Sequence, residues 1–259
     1  MTPKLLVRSN AKTSLRDLCL RNAGAIQILG AMSDQSSSPA ATANSPPSRG
    51  SVSLGFVILF LITAGLIVAA AMTVDSFVSR WVLERATPLV KNTAQFLSKS
   101  GEGQWPIGFG LVVAIIGWKY GRDNWRRAGL VIAVAAAVAG VAANGVRAAT
   151  GRTRPSNKTE QGWFGPYHDG QWAAFRHSYS SFPSGHTATA AGFAMALTYV
   201  AWRWGWLSLF WMLGVGWSRI CLDSHHFSDV IAGLFFGWVT AWFVLRAFGW
   251  PRLDQASSG

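Results

Sequence analysis

Six apolar runs follow one another after about residue 50, at 52–73, 106–118, 128–146, 187–202, 205–217 and 230–247. The first is long enough to cross a bilayer, since about 20 helical residues span the hydrocarbon. Each shorter run reaches that length when its flanking polar residues are counted as a first or last helical turn. None carries the polar face that a helix of a soluble bundle needs. The pattern therefore predicts an all-α fold, an integral membrane six-helix bundle over residues 51–250. Residues 1–50 read differently, with Lys4, Arg8, Lys12, Arg16 and Arg21 followed by a Ser-, Ala- and Pro-rich stretch over 33–50. Such a composition buries too little apolar surface to fold, so a disordered tail is expected there, with a short C-terminal tail over 251–259. The basic stretch lacks the continuous apolar core of a signal peptide. A short helix lying on the membrane and a chain start at Met32 both stay open.

Composition sharpens this picture. Charged residues make up 13% of the 259 positions and apolar ones 50%, against about a quarter charged in soluble domains. The net charge of +12 would suit a nucleic-acid binder if the basic residues gathered on a soluble surface. Here they punctuate apolar segments, so nucleic acid is excluded as a partner and basic cytoplasmic loops are implied. Cys19 and Cys221 are far apart in unlike surroundings, which supports neither a disulfide framework nor a thiolate metal site.

Orientation follows from Lys and Arg. Both termini, the segment 119–127 and Arg203 are assigned to the cytoplasmic side. The opposite side then holds all five histidines and a cluster of Arg147, Arg152, Arg154, Lys158, Arg176 and Arg219. Topology does not call for that cluster, whereas a bound anion does. A chemically loaded outer face and a bare inner one is the pattern of a membrane enzyme working at one leaflet, here the periplasmic face of a bacterial inner membrane.

Three stretches carry the chemistry of that face: RAATGRTRP at 147–155, FPSGHTATA at 182–190 and SRICLDSHHFSDV at 218–230. In the first, Arg147 and Arg154 are seven apart, and Gly151 and Pro155 turn the chain back between them and beyond. In the second, Ser184 is an N-cap candidate and Gly185 allows a ligand to approach closely. The free N–H groups of the turn that follows form an anion site, with His186 beside it as a proton donor. In the third, His225 and Asp229 are four apart and share a face if a helix starts there. Asp229 would accept the Nδ1–H of His225 and leave Nε2 free as nucleophile or base. Spacing alone leaves His226 open as an alternative, and Arg219 supplies a fork for a phosphate. Each stretch also has a plain structural reading: a capped helix start, a polar turn, or arginines resting on lipid head groups.

Taken together the stretches resemble the signature of the type-2 phosphatidic acid phosphatase family, Lys-x6-Arg-Pro, Pro-Ser-Gly-His and Ser-Arg-x5-His-x3-Asp. They read here as Arg147-x6-Arg154-Pro155, Pro183-Ser184-Gly185-His186 and Ser218-Arg219-x5-His225-x3-Asp229. One departure is Arg147, which stands where the family usually has Lys, so a planar fork replaces a point donor. The resemblance implies a metal-independent phosphatase without a cofactor, acting on a membrane lipid phosphate or pyrophosphate such as undecaprenyl pyrophosphate, phosphatidate, phosphatidylglycerophosphate or lipid A. It implies that His225 attacks phosphorus, oriented by Asp229, and that His186 protonates the leaving group and then activates water. Arg147, Arg154, Arg219, Ser184 and the Gly185 N–H would hold the phosphoryl oxygens. A lipid phosphotransferase using the same site is the alternative. A haloperoxidase fits the membrane spans poorly, and a non-catalytic transporter fits the intact His186, His225 and Asp229 poorly. Between the first two stretches, Trp163, Phe164, Tyr167, Trp172 and Phe175 suit interfacial packing better than a head-group lid. Lys158, Arg176 and His177 would be extra anion contacts if the lid reading held.

Overall fold

In a computed structural model the described residues are 54–157, 160–172 and 176–249. The expected tails at 1–50 and 251–259, and the side chains of Lys158 and Phe175, lie outside them. Most of the described residues lie in eight helices: α1 (Leu54–Thr73), α2 (Asp75–Glu84), α3 (Pro88–Ser100), α4 (Gln104–Lys119), α5 (Asp123–Thr150), α6 (Gly185–Val200), α7 (Trp202–Cys221) and α8 (Phe227–Ala247). The six apolar runs each lie on one helix, namely α1, α4, α5, α6, α7 and α8. The fold is all-α, as the pattern predicted.

Its exterior is that of a membrane protein. Leu66, Trp118, Val141 and Phe210 are each at least two-thirds exposed, and many other large apolar side chains also face outward. Lipid tails accept such a surface and water does not. Helices α5 and α8 are each long and apolar enough to cross a bilayer unaided, and α1 with α2 is long and apolar enough as a pair bent by 57°. At 16 residues each, α4 and α6 rise about 24 Å, somewhat short of the hydrocarbon thickness.

Helix α6 is the hub. Its buried face (Phe193, Ala194, Ala196, Val200) meets Ala128, Val131, Ile132, Ala135 and Ala136 of α5 and Ala241, Val244 and Leu245 of α8. Most of these are small, which lets helix backbones approach closely where no hydrophobic effect drives association in lipid. Two helices were not foreseen. Asp75 opens α2 just past the first apolar run, at the bend between α1 and α2. In α3, Thr87 caps the start by accepting from Val90 N, Pro88 fills the first turn, and Ala94 and Ser98 are buried. Ala94 packs in a cluster with Ile220 and Cys221, so α3 lies along the last turns of α7. The segment before α6 contains a small antiparallel hairpin, Tyr167–His168 with Gln171–Trp172. Its turn residues Asp169 and Gly170 both have positive φ, the geometry that an Asp-Gly pair favours.

Candidate active site

One end of the bundle gathers the bend between α1 and α2, the last turns of α3, α5 and α7, and the first turns of α6 and α8. Helix α5 stops because Gly151 takes up a left-handed φ of 55°. The residues after it are pinned from both sides by backbone bonds: Thr153 N donates to Gly162 O (3.0 Å), Arg154 N to Ser178 O (2.9 Å) and Ser181 N to Arg152 O (3.0 Å). Thr150 Oγ1 donates to Phe182 O at 2.9 Å and so ties the first and second signature stretches into one wall. The third joins it through Ser184 N, which donates to Asp229 O at 3.0 Å.

Three guanidiniums converge there. Arg147 lies against the start of α6, so closely that a methyl group added at Gly185 would sit 1.9 Å from its Nη2. Arg154 is held by the carbonyls of His177 (Nε, 2.9 Å) and Ser180 (Nη2, 3.4 Å). Arg219 donates through Nη1 to Ser98 Oγ. The Nε donors of Arg147 and Arg219 are buried without a protein acceptor. Among the described residues no carboxylate forms a salt bridge with any of the three. Burial first, then Arg219 and Arg147, push Arg154 down to about 10, so it stays charged at neutral pH. The same three charges bear on His177, whose pKa is lowered chiefly by Arg154, and on His186. A cavity of about 350 Å³ is lined by Arg147, Gly185, His186, Asn144, Gly140 and other small residues.

His225 lies in the turn between α7 and α8 and is 1% exposed. Its Nδ1 is 2.8 Å from Ser181 O, and a carbonyl can only accept, so Nδ1 carries the hydrogen and Nε2 is left with its lone pair. The expected direct bond to Asp229 is not made, since Nδ1 and Oδ2 are 3.7 Å apart. Ser181 stands between them. Its carbonyl takes the imidazole N–H while its hydroxyl donates to Asp229 Oδ2 at 2.5 Å. The same Oδ2 accepts from His226 N (2.8 Å) and Oδ1 from Arg152 Nη1 (2.5 Å). Burial pushes His225 down to about 4 against the pull of the Asp229 charge, so its imidazole is neutral at pH 7.

The chain matches the PAP2 superfamily over residues 128–252, which contain all three stretches. It is 32% identical over 178 residues to the lipid A 1-phosphatase of Rhizobium johnstonii, covering 62% of this chain and 68% of that one. The chain belongs to the PAP2 superfamily. Lipid A 1-phosphatase of Rhizobium etli is 30% identical over 169 residues, 60% of this chain and 69% of that protein. A solved PAP2-type phosphatidylglycerolphosphate phosphatase from Bacillus subtilis superposes with a TM-score of 0.52 at 18% identity, covering 77% of this chain and 96% of the other. That last likeness is one of fold. This PAP2 protein is thus a membrane lipid phosphatase, a phosphoric ester hydrolase.

Within this PAP2 fold Arg147, Arg154, Arg219, Gly185, His186 and His225 meet at one end of the bundle, and Asp229 lies directly behind His225. Ser184 occupies the N-cap position of α6 without making a side-chain cap bond; its hydroxyl instead accepts from Thr187 Oγ1 at 2.9 Å. His226 turns its Nε2 to Thr153 O (3.2 Å). Two members of the expected anion cluster do other things. Arg152 is paired with Asp75 and Asp229, and Arg176 stacks on Tyr179 and faces Asp169. Residues missed from the sequence are Asp75, Ser98, Ser181 and Ser228. Only Asp75 gave a signal, as a carboxylate at the boundary of an apolar span.

The contact between Arg147 and Gly185 yields a direct test. Gly185→Ala is expected to fold, because the displaced atom is the far end of a flexible side chain, and to lose activity by about 10²-fold as one preorganised donor moves away. Melting temperature and phosphate release measured on the same preparation would check this.

Proposed function

We propose that the enzyme removes the sugar-linked phosphate of a lipid A-type glycolipid at the periplasmic face of a bacterial inner membrane, with both termini cytoplasmic. The observation that carries the reading is the convergence of three guanidiniums, none salt-bridged to a carboxylate among the described residues, on His186 at the α6 start and His225 in the turn between α7 and α8. The names of the two curated relatives favour the glycolipid over undecaprenyl pyrophosphate or phosphatidate.

His225 Nε2 attacks phosphorus, the P–O bond to the lipid breaks, and His186 passes a proton to the leaving oxygen. His186 then takes a proton from water, which attacks the phosphohistidine; the P–N bond breaks and inorganic phosphate leaves. Arg147, Arg154, Arg219 and the Gly185 N–H hold the equatorial oxygens, supplying charge that a metal ion supplies in other phosphoryl-transfer enzymes. The α6 N-terminus adds its own positive dipole end. Ser184 contributes through the backbone of that turn.

The test is phosphate release by detergent-purified protein in excess EDTA, from lipid A, phosphatidate and undecaprenyl pyrophosphate in parallel. Metal-free release from the 1-position of lipid A is expected. Because a nucleophile with a pKa of about 4 is lost only as the pH falls through that value, kcat/KM should hold down to about pH 5, below the 6.5 or so of an ordinary histidine. Turnover of phosphatidate alone would move the substrate to the glycerophospholipids, and label appearing on an acceptor lipid would make the enzyme a transferase.

A further inference from the structure

Asp75 and Arg152 are buried and charged yet take no part in the steps proposed for His225 and His186. Arg152 is a signature-stretch arginine, yet it lies on the other side of the wall from the three that converge. It lines a cavity of about 730 Å³ together with Asp75, Ser79, Trp163 and His226, whereas Arg147 and His186 line the smaller one. Its guanidinium spans two carboxylates, with Nη1 on Asp229 Oδ1 (2.5 Å) and Nη2 on Asp75 Oδ2 (2.7 Å). Nη1 also donates to Ser228 Oγ at 2.7 Å, and its plane lies over the Trp163 ring, 4.8 Å from the centroid. Asp75 completes the ring by accepting from Ser228 N (Oδ1, 2.7 Å) and Ser228 Oγ (Oδ2, 2.6 Å). Asp75, Arg152, Ser228 and Asp229 are all buried.

We infer that Asp75 and Arg152 are positioning residues for the phosphatase reaction, acting through Asp229 on the turn that carries His225. The chain of contacts is continuous. Asp75, at the bend between α1 and α2, fixes the Arg152 fork and the first turn of α8. Arg152 fixes one oxygen of Asp229. The other oxygen of Asp229 fixes the Ser181 hydroxyl and the His226 N–H, and Ser181 O fixes the His225 ring. A planar fork suits this role, since it bridges two carboxylates in set directions. The outer end of the first membrane span is thereby tied to the angle at which His225 Nε2 meets phosphorus, where a small misplacement is costly.

This inference rests on His225 as nucleophile. Asp75→Asn separates it from a packing role: the amide oxygen still accepts from Ser228 N, but its NH₂ confronts the Arg152 donors. Expected in folded Asp75→Asn protein are a kcat lowered about tenfold, an unchanged KM, and inorganic phosphate bound with the parent's affinity and stoichiometry of sites. Unchanged stoichiometry shows that every molecule keeps an intact pocket, which a merely structural defect would not. Should Asp75→Asn not fold, Ser228→Ala removes one corner of the ring with less burden, and a kcat about threefold down with the same phosphate binding is expected. A kcat within the assay error of the parent in folded protein would overturn the inference. So would a loss of phosphate affinity matching the loss of kcat, because Arg152 would then be touching the anion itself. Full activity in His225→Ala would instead overturn the reading beneath it.

Discussion

His225→Ala is expected to lose lipid phosphate release by about 10⁴-fold or more, the largest effect of any single change in the chain. The ring is almost wholly enclosed, its Nδ1–H is committed to Ser181 O, and the remaining nitrogen carries its lone pair near Arg154 and Arg219, whose charges act on it. Neither neighbouring imidazole stands in its place, since His226 is turned to Thr153 O and His186 sits on α6. Truncating a buried side chain also leaves a cavity, so a folding loss must be set apart from a chemical one. His225→Asn does this, because an amide N–H₂ can still donate to the Ser181 carbonyl while nothing remains to attack phosphorus. Both variants should bind inorganic phosphate and neither should turn over. In the parent, rapid acid-free quenching with labelled substrate should trap phosphate on the protein in a form stable to alkali and lost in acid, as a P–N bond behaves. Residual activity in His225→Asn above a hundredth of the parent would remove the covalent route.

Much of this site could be read along the chain because its parts are local. The apolar runs place the helices, since a helix in lipid must satisfy its own backbone and can do so only as an uninterrupted apolar segment. Within the third stretch the i, i+4 spacing brought Asp229 behind His225, although the structure leaves 3.7 Å between them. What fills that gap is Ser181, 44 residues from His225, and no periodicity announces it. The same holds for Asp75, which pairs with Arg152 across 77 positions and with Ser228 across 153. Buried ionic partners are chosen by the fold, and a basic residue beside a phosphate motif looks from the sequence like another phosphate ligand. Arg152 was read that way and belongs elsewhere. Helices α2 and α3 escaped for a different reason: they are short and polar enough to pass for loops, and α3 earns its place only by burying Ala94 and Ser98 against the end of α7.

His186→Gln is expected to fall by about 10²–10⁴-fold on a lipid phosphate, the range that a positioned proton donor contributes. The size should depend on what leaves. A sugar or alkyl oxygen departs poorly as an anion and needs the proton, whereas p-nitrophenolate hardly does. The loss on p-nitrophenyl phosphate should therefore be smaller by at least tenfold than the loss on the lipid, with both assayed in the same detergent. Glutamine keeps much of the volume and hydrogen-bonding capacity of the imidazole at the first turn of α6, so the phosphate-binding edge formed by Gly185 and Arg147 stays in place. Phosphohistidine trapped from p-nitrophenyl phosphate should accumulate in this variant, because water must then attack without a base and breakdown of the intermediate becomes the slow step. Equal losses on the two substrates would point instead to a binding role for His186. A variant that lost activity without accumulating the intermediate would place the base for the second step at another residue, and His177, on which Arg154, Arg219 and Arg147 also act, would be the first to replace.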